Sequence, residues 1–130
     1  MGAWSISPFK NDNALDWVWS LAGVTDTSVL SDALDAVASD DFDEGCEEAV
    51  AAAEVVAALR GRPLPELPDE VVAYINAQAG KKPPQKLVDH AATVVRRIAK
   101  HSDLKARWDE SDGAKEWQDS MVDLLKRLGD

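Results

Sequence analysis

A chain of 130 residues is near the commonest size of a single domain and long enough to bury one core. Twenty Ala against seven Gly, six Pro, two Phe and one Tyr favour helices and leave little room for sheet. A net charge of −10 argues against nucleic acid or an anionic lipid surface as partner, and a single cysteine, Cys46, excludes an internal disulfide and is a poor start for a zinc site.

The charge is unevenly placed. Residues 1–65 carry twelve acids and three bases, whereas residues 66–130 carry twelve acids and eleven bases. Between residues 11 and 59 there are twelve Asp or Glu and no Lys or Arg. The opening residues lack a basic stretch followed by a continuous apolar one, so the expected location is the cytoplasm. The longest charge-free stretch, residues 71–80, is ten residues, half of the roughly 20 that a membrane-spanning helix needs.

In chain order, Asn11, Asp12 and Asn13 offer helix caps, and Ala14, Leu15, Val18, Trp19 and Ala22 then recur at helical spacing until Gly23. Val29, Leu30, Ala33, Leu34 and Val37 form one apolar stripe of a second helix, with Ser31, Asp32 and Asp35 opposite. Asp40, Asp41 and Asp43 favour the N-terminal dipole of a third, Cys46 to Leu59, which is apolar on nearly every side and predicted to be central. Gly61 ends it, and Pro63, Pro65 and Pro68 make a stiff connector within the domain.

Asp69 is predicted to cap a short fourth helix with Val71, Val72 and Ile75 on its apolar face, before the break of residues 80–84. Leu87, Val88, Ala91, Val94, Val95, Ile98 and Ala99 mark a fifth helix whose wet side carries Lys86, Arg96, Arg97 and Lys100. Ser102 and Asp103 cap a short turn through Trp108, and Trp117, Met121, Leu124, Leu125 and Leu128 define a last helix from about Ser111-Asp112. The predicted architecture is all-α, a single compact bundle of about six helices preceded by an extended N-terminal segment.

The opening Met1-Gly2-x-Trp4, followed by Pro8-Phe9-x-Asn11-Asp12-x-Ala14-x-Asp16-Trp17, resembles the start of a widespread family of small bacterial proteins, domain of unknown function 4259. Residues 51–56 and the closing pattern of Ser102, Leu104, Trp108, Trp117 and residues 124–128 extend the resemblance over most of the chain. Ser5-Ile6-Ser7 stands where a Gly-rich run usually follows the first Trp of that family. The resemblance supports the fold and implies no established activity.

Candidate sites each have two readings. Asp12 and Asp16, four apart, share a helix face and suit a divalent cation or an acid/base pair, but they equally suit the cap and first turn of the first helix. Glu54 interrupts the apolar run of the third helix. A carboxylate buried there either finds a donor, with the N-terminal segment around Trp4 as the expected source, or titrates high as catalytic acids do. His90 and His101 are roughly 16 Å apart on one helix and cannot share a metal. Trp17 and Trp19 sit about 200° apart, so one of them is exposed as a partner anchor or covered by the segment holding Trp4 and Phe9.

No cofactor is expected. The leading functional expectation is a non-enzymatic protein that binds a basic protein partner through the acidic face of Asp32, Asp35, Asp40, Asp41, Asp43, Glu44, Glu47 and Glu48. The alternative is a small metal-dependent hydrolase built on Asp12, Asp16 and Glu54. A homo-oligomer pairing the acidic half with the basic fifth helix is a third option.

Overall fold

The structure, a computed structural model, describes residues 12–24, 26–38, 45–62, 67–78, 81–100 and 102–129. Among these residues there are seven helices and no strand. They are α1 (Asp12–Trp19), α2 (Ser28–Ala38), α3 (Cys46–Leu59), α4 (Asp69–Ala77), α5 (Gln85–Lys100), α6 (Asp103–Asp109) and α7 (Ala114–Gly129). The all-α bundle follows the predicted architecture. The extra helix, α6, is the stretch read from sequence as a turn.

The predicted centre is the centre. Every residue of α3 from Ala49 to Ala58 is buried, and the helix packs against each of the other six. Its six alanines after Glu48 leave a thin cylinder on which Leu30, Leu34, Ile98, Met121 and Leu124 close the core. Gly61, at φ +87°, ends α3 in a left-handed turn that glycine adopts at little cost. The amide of Gly61 donates to the Ala58 carbonyl and that of Arg62 to Ala57, which pairs the last carbonyls with local donors.

Elsewhere the helix ends are closed by side chains from other elements. The Ser102 hydroxyl donates to the Ile98 carbonyl at 2.8 Å and accepts the Lys105 amide at 3.0 Å, so one side chain ends α5 and starts α6. Gln118 of α7 donates to the Ala99 carbonyl at 3.1 Å, and Arg97 of α5 donates to Val37 at the end of α2. Asp69 does not cap α4. Pro68 holds the capping position, its carbonyl accepting the amides of Val71 and Val72, and Asp69 is the first helical residue, where its charge meets the dipole.

Two predicted faces are rotated. On α1 the buried residues are Ala14 and Val18, with Leu21 beyond the helix end, whereas Leu15, Trp19 and Ala22 are exposed. The buried set Ala14, Val18 and Leu21 itself keeps helical spacing, so the face toward α3 is that stripe and not the neighbouring one of Leu15, Trp19 and Ala22. On α4 the buried pair is Val71 and Tyr74, and Val72 is exposed. Tyr74 is drawn inward because its hydroxyl donates to the Asp26 carbonyl at 2.5 Å, tying α4 to the start of α2.

Trp108 and Trp117 stack with centroids 6.4 Å apart and planes 9° apart, joining α6 to α7. Gly113 lies against this pair, and a Cβ there would sit 2.8 Å from a Trp108 ring carbon. Gly113→Ala is therefore expected to cost about 1–3 kcal/mol of stability, whereas Gly129→Ala, which meets nothing within 4 Å, changes it by less than about 0.5 kcal/mol, both read by thermal denaturation.

Tyr74 is the sole tyrosine, so its ionisation is directly visible in the ultraviolet spectrum. Burial, aided by the nearby Asp26 charge, pushes its phenol up to about 12. A folded value above the unfolded one means that its contribution is complete below the ordinary phenol range and is lost as pH rises through the folded value. Phenolate absorbance should thus appear near pH 12 in the folded protein and about two units lower in denaturant.

Candidate functional site

Glu54 is the acidic residue most withdrawn from water among the described residues, 3% exposed on α3. The seventh helix answers it. Arg127 Nη1 donates to Glu54 Oε1 at 2.6 Å and Nη2 donates to Oε2 at 3.0 Å, a two-point contact that occupies both carboxylate oxygens. The donor anticipated near Trp4 is thus supplied from the other end of the chain, by a residue singled out only within the closing motif. Arg127 also donates through Nε to Asp123 Oδ2 at 2.8 Å, one turn earlier on α7.

The contact is reciprocal at the backbone. Arg60 Nη1 donates to the Arg127 carbonyl at 3.1 Å and also to that of Leu128. Arg62 Nη1 donates to the Lys126 carbonyl at 3.2 Å, and Arg127 Nη1 reaches the Arg62 carbonyl at 3.4 Å. These are the last carbonyls of α7, which have no helical partner, so the cations after α3 close the end of α7. Burial pushes the Glu54 carboxyl up, and the bonds and charge of Arg127 pull it back without cancelling the rise. Burial also opposes the charge on Arg127, but Glu54 and Asp123 outweigh it and hold the guanidinium above its ordinary value.

Chemically this arrangement is a neutralised pair. A general acid or a metal ligand needs a free oxygen facing a substrate or ion, and both oxygens of Glu54 face a guanidinium. Asp16 is exposed on α1. Asp12 is the first residue of that helix, while its side chain, together with Trp4 and Asn11, lies outside the described residues. Among the described residues no group of three His, Cys, Asp or Glu side chains is placed to hold a metal ion.

The acidic face is partly answered from within. Asp32 and Asp35 are exposed on α2, and Glu47 and Glu48 are half-buried at the start of α3. Asp40, Asp41, Asp43 and Glu44 lie outside the described residues. His90 Nε2 of α5 sits 2.8 Å from Asp35 Oδ1, and Arg107 of α6 approaches Glu47 at 3.9 Å. His90 thus bridges α5 to α2, and His101 lies outside the described residues. Neither His90 nor Arg107 belongs to the cationic side of Lys86, Arg96, Arg97 and Lys100 read from the sequence, and which acid each meets depends on the packing.

Replacing Arg127 by Met strands a buried carboxylate and is expected to cost about 3–5 kcal/mol at neutral pH. The folded Glu54 carboxyl already titrates above its unfolded value, so its share of stability is complete below the ordinary carboxylate range and declines as pH rises through it. Without Arg127 the rise is larger. Urea denaturation should therefore show the deficit of Arg127→Met shrinking as pH falls from about 7 to about 4, and Glu54→Leu/Arg127→Met should recover most of it. A deficit unchanged with pH would contradict this account of the pair.

No curated protein and no solved structure matches the chain. A family model, described as domain of unknown function (DUF4259), matches residues 2–120 and so takes in α1 to α6 and the first turns of α7. On that match the chain belongs to the DUF4259 family.

Proposed function

We propose that the protein is a non-enzymatic binding protein whose acidic first half captures a basic protein partner, in the manner of a toxin-neutralising immunity protein or a nucleic-acid mimic. The observation that carries this reading is the exposure of Asp32 and Asp35 on α2, within a stretch of twelve acids and no Lys or Arg over residues 11–59. Carboxylates gathered on one side repel one another even with Asp35 beside His90, and a basic partner relieves that repulsion while being steered to the surface. Occupation of both Glu54 oxygens by Arg127 favours binding over the metal-dependent hydrolase built on Asp12, Asp16 and Glu54.

The same reading places the protein in a bacterial cytoplasm, where the buried thiol of Cys46 stays reduced. No helix among the described residues is long and apolar enough to cross a membrane. The test is capture of partners from a lysate on immobilised protein, at low and high salt. The wild type is compared with a variant in which Asp32, Asp35, Asp40, Asp41 and Asp43 are Asn and Glu44 is Gln. Basic proteins should be held at low salt, released at high salt and lost in the variant. Equal retention by the neutralised variant defeats the proposal.

A further inference from the structure

Four large apolar side chains are exposed among the described residues: Leu15, Trp19, Val72 and Val122. Two of them form a ridge. Leu15 and Trp19 are one helical turn apart on α1, 41% and 72% exposed, and Asp16, three residues before Trp19, flanks them on the same side. An indole this open to water costs hydration free energy that a binding partner would recover, which is why Trp is enriched at interface hot spots.

Val122 belongs to a groove between α5 and α7 with an open volume of about 520 Å³, within the roughly 300–1,000 Å³ of ordinary ligand clefts. Ala92, Val122 and Leu125 supply its apolar surface, and Arg96 and Lys126 stand on its edge with no ion pair among the described residues. Its one acid among the described residues, Asp89, already accepts a hydrogen bond from Gln85 at 2.8 Å. The groove is therefore a mostly polar cleft with a cationic edge and an apolar patch, on a protein of net charge −10. The ridge is apolar with an acid beside it.

We infer that the Leu15–Trp19 ridge of one copy of this chain docks in the α5–α7 groove of a second copy. Trp19 lies against Val122 and Leu125, and Asp16 pairs with Arg96 or Lys126. The two surfaces cannot meet within one molecule, because α1 packs on α3 and α4 and touches neither α5 nor α7 among the described residues. Charge matches between them, and the guanidinium of Arg96 adds a cation for the face of the indole. One Trp buries about 150–250 Å², so the interface is small and the association weak, in the micromolar range.

This contact uses neither Asp32 nor Asp35, so it stands or falls apart from the partner proposed above. Sedimentation velocity over a concentration series should show a wild-type coefficient that rises with concentration. Trp19→Ser should weaken the association about tenfold or more. Asp16→Lys alone, and Arg96→Glu/Lys126→Glu alone, should each weaken it, and an equimolar mixture of these two proteins should recover it, since each ridge then faces a groove of opposite charge. Asp32→Asn/Asp35→Asn should leave it unchanged. All the substituted side chains are exposed, so far-ultraviolet circular dichroism should match the wild type in every case. A wild type that stays monomeric throughout, an association indifferent to Trp19→Ser, or a mixture that fails to recover overturns the inference and leaves the ridge to a foreign partner.

Discussion

A helix buried on every side that carries one carboxylate sets the terms for the rest of this fold. Glu54 cannot remain charged within the apolar run of α3 without a cation, and the cation arrives on the last helix. That requirement fixes how α7 lies on α3, because a two-point guanidinium contact tolerates little rotation or sliding. Arg60 and Arg62 then use the carbonyls at the end of α7, so the ion pair and the helix terminus are secured by the same few residues. The alanines of α3 contribute by being small: they let the surrounding helices approach a central helix closely enough to share one core.

The charge asymmetry along the chain has a structural counterpart. Among the described residues, acids of the first half meet cations of the second in three pairs: Glu54 with Arg127, Glu47 with Arg107 and Asp35 with His90. Of these only the first is withdrawn from water, and exposed pairs contribute little to stability. The pairs with Arg107 and His90 act instead on where α6 and α5 sit relative to α3 and α2. Side-chain donors at the ends of α2, α5 and α7 add the same kind of directional constraint, since helix carbonyls left without a helical partner otherwise need water. Apolar burial supplies most of the driving force here, and these polar contacts select one arrangement among the many that would bury similar area.

The surface carries two unlike features that follow from this packing. Directing the acids of α2 outward leaves an electronegative side, while packing α5 on α7 leaves a cleft edged by Arg96 and Lys126. The exposed ridge on α1 arises because the helix turns the stripe of Ala14, Val18 and Leu21 toward α3 and leaves the adjacent stripe of Leu15 and Trp19 in solvent. The acidic side, the cleft and the ridge are the surfaces on which the two proposals above rest.

The sequence by itself determined the class of the fold, the central place of α3 and the stop at Gly61, because a run of apolar residues at every helical position and a residue suited to positive φ are local signals. It also determined that Glu54, if buried, either finds a donor or titrates high, and that Trp17 and Trp19 cannot both face inward. Tertiary structure alone decided which partner and which tryptophan. Arg127 lies 73 residues from Glu54, and on a helical wheel it sits beside the apolar stripe of α7 like any solvated arginine. The exposure of Trp19 and Val72 has the same reason, since each helix has two adjacent stripes of helical spacing and packing, aided on α4 by the Tyr74 hydroxyl bond to Asp26, chooses which is buried. Short-range pattern specifies which side of a helix prefers to be dry, but the cation that meets a buried acid is chosen by packing between residues far apart in the chain.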